Sequence, residues 1–269
     1  MPNIKLILEY DGTNYHGWQA QTGSGKPTIQ ETLETALAVL AQEPVRTTSS
    51  GRTDAGVHAV GHVANFTTTR MIPAEAWAPA LNRLLPRDIR VLGSAEVPED
   101  FHARYDAGGK AYQYRILNRR MPSALLRDRA WHVDRKLNVA AMRRAAAALI
   151  GKHDFSAFRS ASCNAKSPVR TLRDIAIRKS GEIIEITLKA DAFLMHMARN
   201  IAGTLVEAGL GRFTPEEVKR ILRSRDRGRA GRTAPACGLF LLEVSYPPTR
   251  PRSGACRRAD RKPQPARNC

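Results

Sequence analysis

The sequence predicts an α+β fold built from two similar halves. Three observations predict it: strand patterns outnumber helical ones, a loosely similar series of elements restarts near residue 110, and hairpin signals mix with longer crossovers. We place the division near residues 101–110, so that residues 1–104 form an N-terminal half and residues 105–247 a C-terminal half. A length of 269 residues suits this organisation, at about 100–200 residues per domain.

The first half is predicted from alternation and from helix-start signals. Alternation over residues 4–10 predicts a strand, which the following Asp-Gly pair ends. Thr28 and Glu31 form a capping-box pattern and predict a helix over residues 28–40. The other elements predicted in this half are a strand over 45–49, a strand over 58–67, a helix over 73–85 and a strand over 89–97.

The second half contains one clear hairpin and one clear helix start. Residues 172–179 and 182–189 are predicted strands separated by a Ser-Gly pair. Thr214, Pro215 and Glu217 combine a cap, a proline in the first turn and a capping box. The other predicted elements are a strand over 110–117, a helix over 138–150 ended by Gly151, a helix over 193–208 ended by Gly209 and a strand over 239–246.

The chain is strongly basic in its body as well as in its last residues. Lys and Arg number 43 against 25 Asp and Glu, a formal charge of +18. A basic surplus indicates a polyanionic partner, because Lys and Arg displace counterions from phosphates. A charge that favours solubility and a compositional bias toward Arg are the alternatives. Residues 248–269 form a basic tail with almost nothing apolar, which we predict to be disordered.

Several classes of protein are disfavoured by what the sequence lacks. No apolar run approaches the ~18–20 residues of a membrane span, and no signal-peptide pattern is present. The 4 cysteines are widely spaced without a CxxC pair, which argues against a zinc knuckle or a disulfide framework and suits a reducing cytoplasm. Without a GxSxG motif, a dinucleotide fingerprint or a methyl-donor glycine loop, the sequence predicts no cofactor.

The stretch GRTDAGVHA raises the main functional question, which is the role of Asp54. Two glycines bracket this carboxylate and permit a tight backbone. One interpretation is an Asx turn, because Asp in loops often bonds its own backbone. The other is a reactive group, because a carboxylate on a rigid turn beside Arg52 stays ionised, as a nucleophile requires. The residues alone do not decide between the two.

Three other stretches resemble motifs only in part. GSGKPT lacks the first glycine of a Walker A loop, since Ala20 stands in that position. His58 and His62 could share a metal on a helix, but the glycines and valines around them indicate a strand, and no acidic third ligand lies close in sequence. We therefore predict no metal site. GRT recurs at residues 231–233 with Ala234 in place of the aspartate, which we interpret as chance or as one more phosphate contact.

Six motifs follow one another along residues 3–247. Besides GRTDAGVHA, they are YDGTNYHGWQ, FHARYDAGGKAYQYRI, DFSAFR, FLMHMARNIAGTLVEAG and TAPACGLFL. In these motifs and in their order, the chain resembles the tRNA pseudouridine synthase A family. The resemblance implies the pseudouridine synthase fold: two ferredoxin-like halves with mixed or antiparallel sheets and an active-site cleft between them. It also implies an isomerase that converts uridine to pseudouridine at positions 38, 39 and 40 of the tRNA anticodon stem-loop, without a cofactor.

The resemblance assigns catalytic roles to two charged residues. Asp54 would be the catalytic aspartate, which attacks C1′ of the ribose, adds to C6 of uracil or assists loss of a C2′ proton. Arg199 would be the cation beside it, with a phosphate clamp or a surface arginine as alternatives. Met195 and Met197 precede this arginine and indicate that it is drawn inward.

Three further residues are expected at the substrate. Tyr112 would stack on the target uracil and help to remove the C5 proton. Tyr112 and Tyr114 share one face of a strand, and because either could be core, at most one is expected to be free. Arg52 would fill the gap left by a flipped base or grip the displaced strand, unless it makes an ordinary phosphate contact. Leu239 matches an apolar pocket position, and a core position suits it equally.

The resemblance also implies partners, namely a homodimer with tRNA lying across both subunits. The cysteine pattern predicts a location in the cytoplasm, and the lack of a long apolar run predicts no membrane contact. Two rival functions stay open: a non-catalytic RNA-binding or chaperone protein of the same fold, and a pseudouridine synthase that acts on another RNA. The first rival would need Asp54 to be lost, and Asp54 is present.

Overall fold

The computed structural model describes residues 1–20 and 25–247. The strands in this part of the chain are β1 (Asn3–Tyr10), β2 (Thr48–Ser49), β3 (His58–Thr67), β4 (Ile89–Val97), β5 (Gly109–Asn118), β6 (Trp131–Val133), β7 (Gly151–Asp154), β8 (Val169–Ser180), β9 (Ile183–Ala190) and β10 (Leu239–Ser245). The α-helices are α1 (Ile29–Ala41), α2 (Trp77–Leu84), α3 (Val139–Ala147), α4 (Met197–Gly209) and α5 (Pro215–Ser224). The predicted disordered tail, residues 248–269, and the first two residues of GSGKPT lie outside the described residues.

The strands form one mixed sheet. Its order is β4-β1-β3-β10-β5-β9-β8-β7, with β2 paired to β3 and β6 paired to β5. Strand β10 lies between β3, to which it is parallel, and β5, to which it is antiparallel. The elements up to β4 and the elements from β5 onward therefore meet across β10. This arrangement confirms the α+β class, while the division between residues 104 and 105 stays a prediction.

Two helices begin as the sequence predicts. At α1 the Thr28 hydroxyl accepts the backbone N–H of Glu31, and the Glu31 carboxylate accepts the backbone N–H of Thr28. Thr214 and Glu217 form the same capping box at α5, where Pro215 occupies the first turn. Each box pairs N–H groups that the first helical turn leaves free, which stabilises the protein by about 1 kcal/mol per cap.

Some predicted boundaries are wrong for reasons that depend on distant contacts. The helix predicted from residue 193 begins instead at Met197, because His196 takes a left-handed conformation with φ of 63°. The strand predicted over 45–49 shortens to Thr48–Ser49. Strands β6 and β7 have too few residues to show a local pattern, and they exist by pairing with β5 and β8.

The packing of α4 positions the site. This helix contacts β5 and α3, and α3 also contacts α5 and β8. Every residue of α4 is buried except Arg199, in its first turn. The charged side chain of Arg199, in the first turn, is therefore the one part of α4 that reaches solvent. Among the described residues, no helix has the length and apolar character needed to cross a membrane.

Candidate active site

Asp54 lies in the loop between β2 and β3, on a backbone held from both sides. Gly56 has a φ of 76°, and the N–H of Val57 donates to the Asp54 carbonyl oxygen over 3.1 Å, which closes a tight turn. From the segment after β1, the Trp18 N–H donates to the Thr53 carbonyl oxygen over 3.1 Å. The loop is therefore fixed, while the Asp54 side chain remains 26% exposed.

Two glycines of YDGTNYHGWQ let that segment lie directly against the Asp54 loop. A Cβ at Gly17 would overlap the carbonyl oxygen of Thr53 and approach the carbonyl carbon of Asp54 to 3.0 Å. A Cβ at Gly12 would overlap the carbonyl oxygen of Val57. Since these contacts involve backbone atoms, a side chain at either position would displace the loop itself.

Replacing Gly17 by alanine is therefore expected to lower the free energy of unfolding by about 2–4 kcal/mol, from overpacking plus the strain of a positive φ. Gly25 is the matched control, because its φ of 66° is similar and a Cβ at this position would have nothing within 4 Å. Gly25→Ala should cost only the backbone strain, about 1 kcal/mol. Urea unfolding of both variants measures the difference, and equal losses would contradict the close approach at Gly17.

Arg199 is brought to Asp54 from a position 145 residues away in the chain. Its Nη1 donates to Oδ2 of Asp54 over 2.9 Å, and the two side chains are 16% and 26% exposed. Its Nε donates to the carbonyl oxygen of Ala234 over 2.8 Å, and the N–H of Ala234 donates to the carbonyl oxygen of Arg199. The guanidinium is thus fixed at both ends, and it balances the charge of the carboxylate.

His196 is a site residue that sequence reasoning missed. Its Nε2 lies 3.4 Å from Oδ2 of Asp54, the same oxygen that Arg199 contacts. The only sequence signal is its position three residues before Arg199 in HMAR, and its left-handed backbone is not visible in the sequence. Within the described residues, Oδ1 of Asp54 has no hydrogen-bond partner. The carboxylate therefore bonds away from its own loop, unlike an Asx turn, and keeps one oxygen free.

Tyr112, on β5, is near enough to Asp54 for the charge of the carboxylate to act on its phenol. It is 8% exposed, and its ring meets the ring of Phe193 edge to face, at 4.9 Å and 77°. Burial, together with the nearby charge of Asp54, raises the pKa of the Tyr112 phenol above its usual range. The phenol is therefore neutral and keeps its proton. Phe193, which the sequence indicates only as a core candidate, supports the tyrosine ring.

The other residues expected at the substrate occupy different settings. Tyr114 is fully buried, and its hydroxyl donates to the carbonyl oxygen of Pro235 over 2.7 Å. Leu239 is 5% exposed and pairs with Tyr114 across β10 and β5, so it is part of the core. Arg52 is exposed and makes no hydrogen bond or ion pair with any described residue. Of the two tyrosines on this face, Tyr112 is the one near Asp54.

His58 and His62 serve the core beneath the loop. The His58 Nδ1 accepts the N–H of Gly12 over 3.1 Å. The His62 ring stacks on Trp18 at 4.0 Å, and its Nδ1 lies 3.3 Å from the Tyr10 hydroxyl. Burial lowers the pKa of His62 to about 3, so this imidazole is neutral. The part of the chain that is described contains no group of three or more His, Cys, Asp or Glu side chains able to hold a metal.

The second GRT, residues 231–233, packs against the start of α4. A Cβ at Gly203 would overlap the carbonyl oxygen of Arg232, so the helix and this segment touch through their backbones. The Thr233 hydroxyl donates to Oδ1 of the buried Asn200 over 2.7 Å. Since Asn200 follows Arg199, this segment helps to fix the arginine. The segment thus makes a structural contact with α4, while a phosphate contact by this stretch stays a prediction.

Known proteins are similar in sequence to this chain over most of its length. A family model described as tRNA pseudouridine synthase matches residues 6–106 and 145–247. The tRNA pseudouridine synthase A of Acetivibrio thermocellus is 51% identical over 246 residues, which are 91% of this chain and 100% of that protein. The tRNA pseudouridine synthase A of Myxococcus xanthus is 50% identical over 258 residues, 94% and 97% of the two chains. The matched ranges contain both Asp54 and Arg199, and the chain belongs to the tRNA pseudouridine synthase family.

Proposed function

We propose that this chain isomerises uridine to pseudouridine at positions 38, 39 and 40 of the tRNA anticodon stem-loop, with Asp54 as the nucleophile. The observation that carries the proposal is the Asp54–Arg199 pair, at 2.9 Å, beside Tyr112 in a chain of the tRNA pseudouridine synthase family. The formal charge of +18 supports an RNA substrate.

The reaction needs positioned groups and no electron carrier. The bond between N1 and C1′ breaks, a bond between C5 and C1′ forms, C5 loses its proton and N1 gains one. No atom is oxidised or reduced overall. The reaction therefore requires three kinds of feature: a carboxylate, a cation that balances its charge and a pocket for a flipped base.

The arrangement at Asp54 suits a nucleophile. Arg199 and His196 both approach Oδ2, so Oδ1 is the oxygen left to react. Attack on C1′, addition to C6 and assistance in the loss of the C2′ proton all begin from this free oxygen. The guanidinium keeps the carboxylate oriented in each case, and it stabilises the charge that returns to Asp54 when the intermediate breaks down.

The substrate contacts follow from exposure and chemistry. Tyr112 would place its ring on the target uracil, and base–aromatic stacking contributes roughly 1–3 kcal/mol per base. Arg52, exposed and unpaired among the described residues, would occupy the space left in the stem-loop or hold the displaced strand. Leu239 would line the pocket from β10, where its burial beside Tyr114 gives it a fixed position.

The family resemblance supports the remaining parts of the proposal. We infer two halves, residues 1–104 and 105–247, that place Asp54 and Arg199 on opposite sides of one cleft. We also infer a homodimer that holds tRNA across both subunits in the cytoplasm. A pseudouridine synthase acting on another RNA is the rival that the same site geometry would serve.

Release of tritium from C5-labelled uridine in unmodified tRNA tests the reaction. The chain is expected to release tritium in proportion to pseudouridine formed, because C5 must lose its proton. If the chain bound tRNA and released none, the non-catalytic RNA-binding function would replace this proposal. Mapping pseudouridine in cells that lack the protein tests the positions, and persistence of pseudouridine at 38–40 would remove the substrate assignment.

A further inference from the structure

Lys110 joins the sheet to the loop that carries Asp54. It lies on β5, two residues before Tyr112, and its Nζ donates to the carbonyl oxygen of Ser50 over 2.6 Å. The ammonium occupies the space beside Gly51, where a Cβ added to the glycine would lie 2.5 Å from Nζ. A partly buried cation therefore lies directly beneath the start of GRTDAGVHA.

Two arginines from separate segments act on this ammonium. Arg104 comes from the connection between β4 and β5, and Arg170 lies near the start of β8. Burial and the positive charges of both arginines lower the pKa of Lys110 to about 8.

Strand pairing places both arginines in the region of Lys110. Ala190 on β9 pairs with Lys110 on one side and with Leu172 on the other, and Leu172 is two residues from Arg170. The Tyr246 hydroxyl, two residues beyond the β10 partner of Lys110, donates to the carbonyl oxygen next to Arg104 over 2.7 Å. Three cations from three different segments therefore lie in one region, and Lys110 connects it to the Asp54 loop.

No described carboxylate forms an ion pair with any of the three cations. Arg170 Nη1 donates to the carbonyl oxygens of Ser167 and Val169, and its buried Nε has no partner among the described residues. Arg104 lies over the ring of Tyr105 at 5.8 Å. Lys110 and Arg170 thus donate to carbonyl oxygens, but no carboxylate of the described residues balances the three positive charges.

We propose that Lys110, Arg104 and Arg170 form a binding site for one phosphodiester group of the substrate RNA, beside the loop that carries Asp54. This inference rests on the proposed function and adds to it a place where the backbone of the RNA is held. A phosphodiester suits the site because it is a compact anion with several acceptor oxygens, and guanidinium and ammonium groups both donate to it.

The position of the site explains its use. A base that leaves its stack rotates about its own backbone, so the phosphate next to it must be held for the ribose to reach Asp54. Lys110 and Tyr112 are two residues apart on one face of β5, and the ring and the ammonium would therefore contact adjacent parts of one nucleotide.

The salt dependence of tRNA binding tests the site. Each phosphate contact contributes about 0.7–0.9 to the slope of log affinity against log salt concentration. If the three cations share one phosphate, the triple variant Lys110→Gln, Arg104→Gln, Arg170→Gln should lose about 0.7–0.9 of slope in total. A loss near zero would overturn the site, and a loss of about 2 or more would replace it with three separate contacts.

The control variant is Arg178→Gln. Arg178 is exposed on the same strand as Arg170, and eight residues of strand place it roughly 25 Å away. For this variant, the slope of log affinity against log salt concentration should equal that of the wild-type chain. Thermal unfolding of each variant checks the fold, and Arg104→Gln, at an exposed position, keeps the test valid if Lys110→Gln fails to fold.

A stem-loop with single neutral linkages identifies the phosphate. Methylphosphonate is placed at one linkage at a time around the target uridine, and affinity is compared for the wild-type chain and the triple variant. One linkage should weaken the wild type and leave the triple variant unchanged. If every linkage weakens both proteins equally, the site is wrong. Because binding is measured apart from tritium release, a chain that releases no tritium but shows this pattern would refute the reaction and not the site.

Discussion

Replacing Asp54 by asparagine is expected to lower the rate of pseudouridine formation by at least about 10⁴-fold, the scale seen when an enzyme loses its nucleophile. Asparagine keeps the size of the side chain, and its amide oxygen can still accept from Arg199, so the loop should keep its shape. The amide has no negative charge to attack carbon. Affinity for tRNA should change by less than about threefold, because most RNA affinity comes from phosphate contacts.

Single-turnover tritium release and filter binding measure the two quantities on the same preparation. Asp174→Asn is the control, since Asp174 is an exposed carboxylate on β8. It should behave as the wild-type chain in both assays. A residual rate within about tenfold of the wild type would contradict the assignment of Asp54 as nucleophile.

Replacing Arg199 by alanine is expected to slow turnover by about 10²–10³-fold, the loss typical of one preorganised donor in an active site. The variant loses the donor to Oδ2 of Asp54 and the bond that ties the guanidinium to the carbonyl oxygen of Ala234. The loss should be smaller than for Asp54→Asn, because His196 still lies 3.4 Å from the carboxylate. Affinity for tRNA should fall by less than about threefold.

Comparing the loss in turnover with the loss in tRNA affinity for Arg199→Ala identifies the role of Arg199. Equal losses in turnover and in affinity would make this residue a phosphate clamp. Arg199→Lys retains the charge but cannot reach both Asp54 and Ala234 with one planar group, so it should recover only part of the rate. Arg223→Ala, at an exposed position on α5, supplies the control for the removal of an arginine.

Local signals predicted much of the fold. Strands β3 and β4 have the predicted bounds, because alternation and flanking turn residues define such segments by themselves. The capping boxes of α1 and α5 are equally local. The start of α4 could not be predicted, since His196, whose backbone is left-handed, contacts Asp54, which is distant in the sequence.

The sequence predicted individual residues of the site but not their arrangement in space. From the residues alone, Asp54 stayed undecided between a turn and a reactive group, and the family resemblance joined it to Arg199. His196 and Lys110 belong to the same region, yet neither lies in a pattern that marks chemistry. The position of Lys110 depends on pairing between strands distant in sequence, and that of His196 on a contact with the distant Asp54 loop, which no local pattern records.

The place of β10 in the sheet has a consequence for biosynthesis. Strands β3 and β5 are joined through β10, whose first residue is Leu239, so the loop of Asp54 and the strand of Tyr112 are made long before the strand that connects them. A nascent chain on the ribosome therefore has two unjoined sheet edges until β10 has been synthesised. A chain that stopped before Leu239 would contain Asp54 and Tyr112 but lack the strand that joins their two parts of the sheet, and its two open edges would be exposed to aggregation.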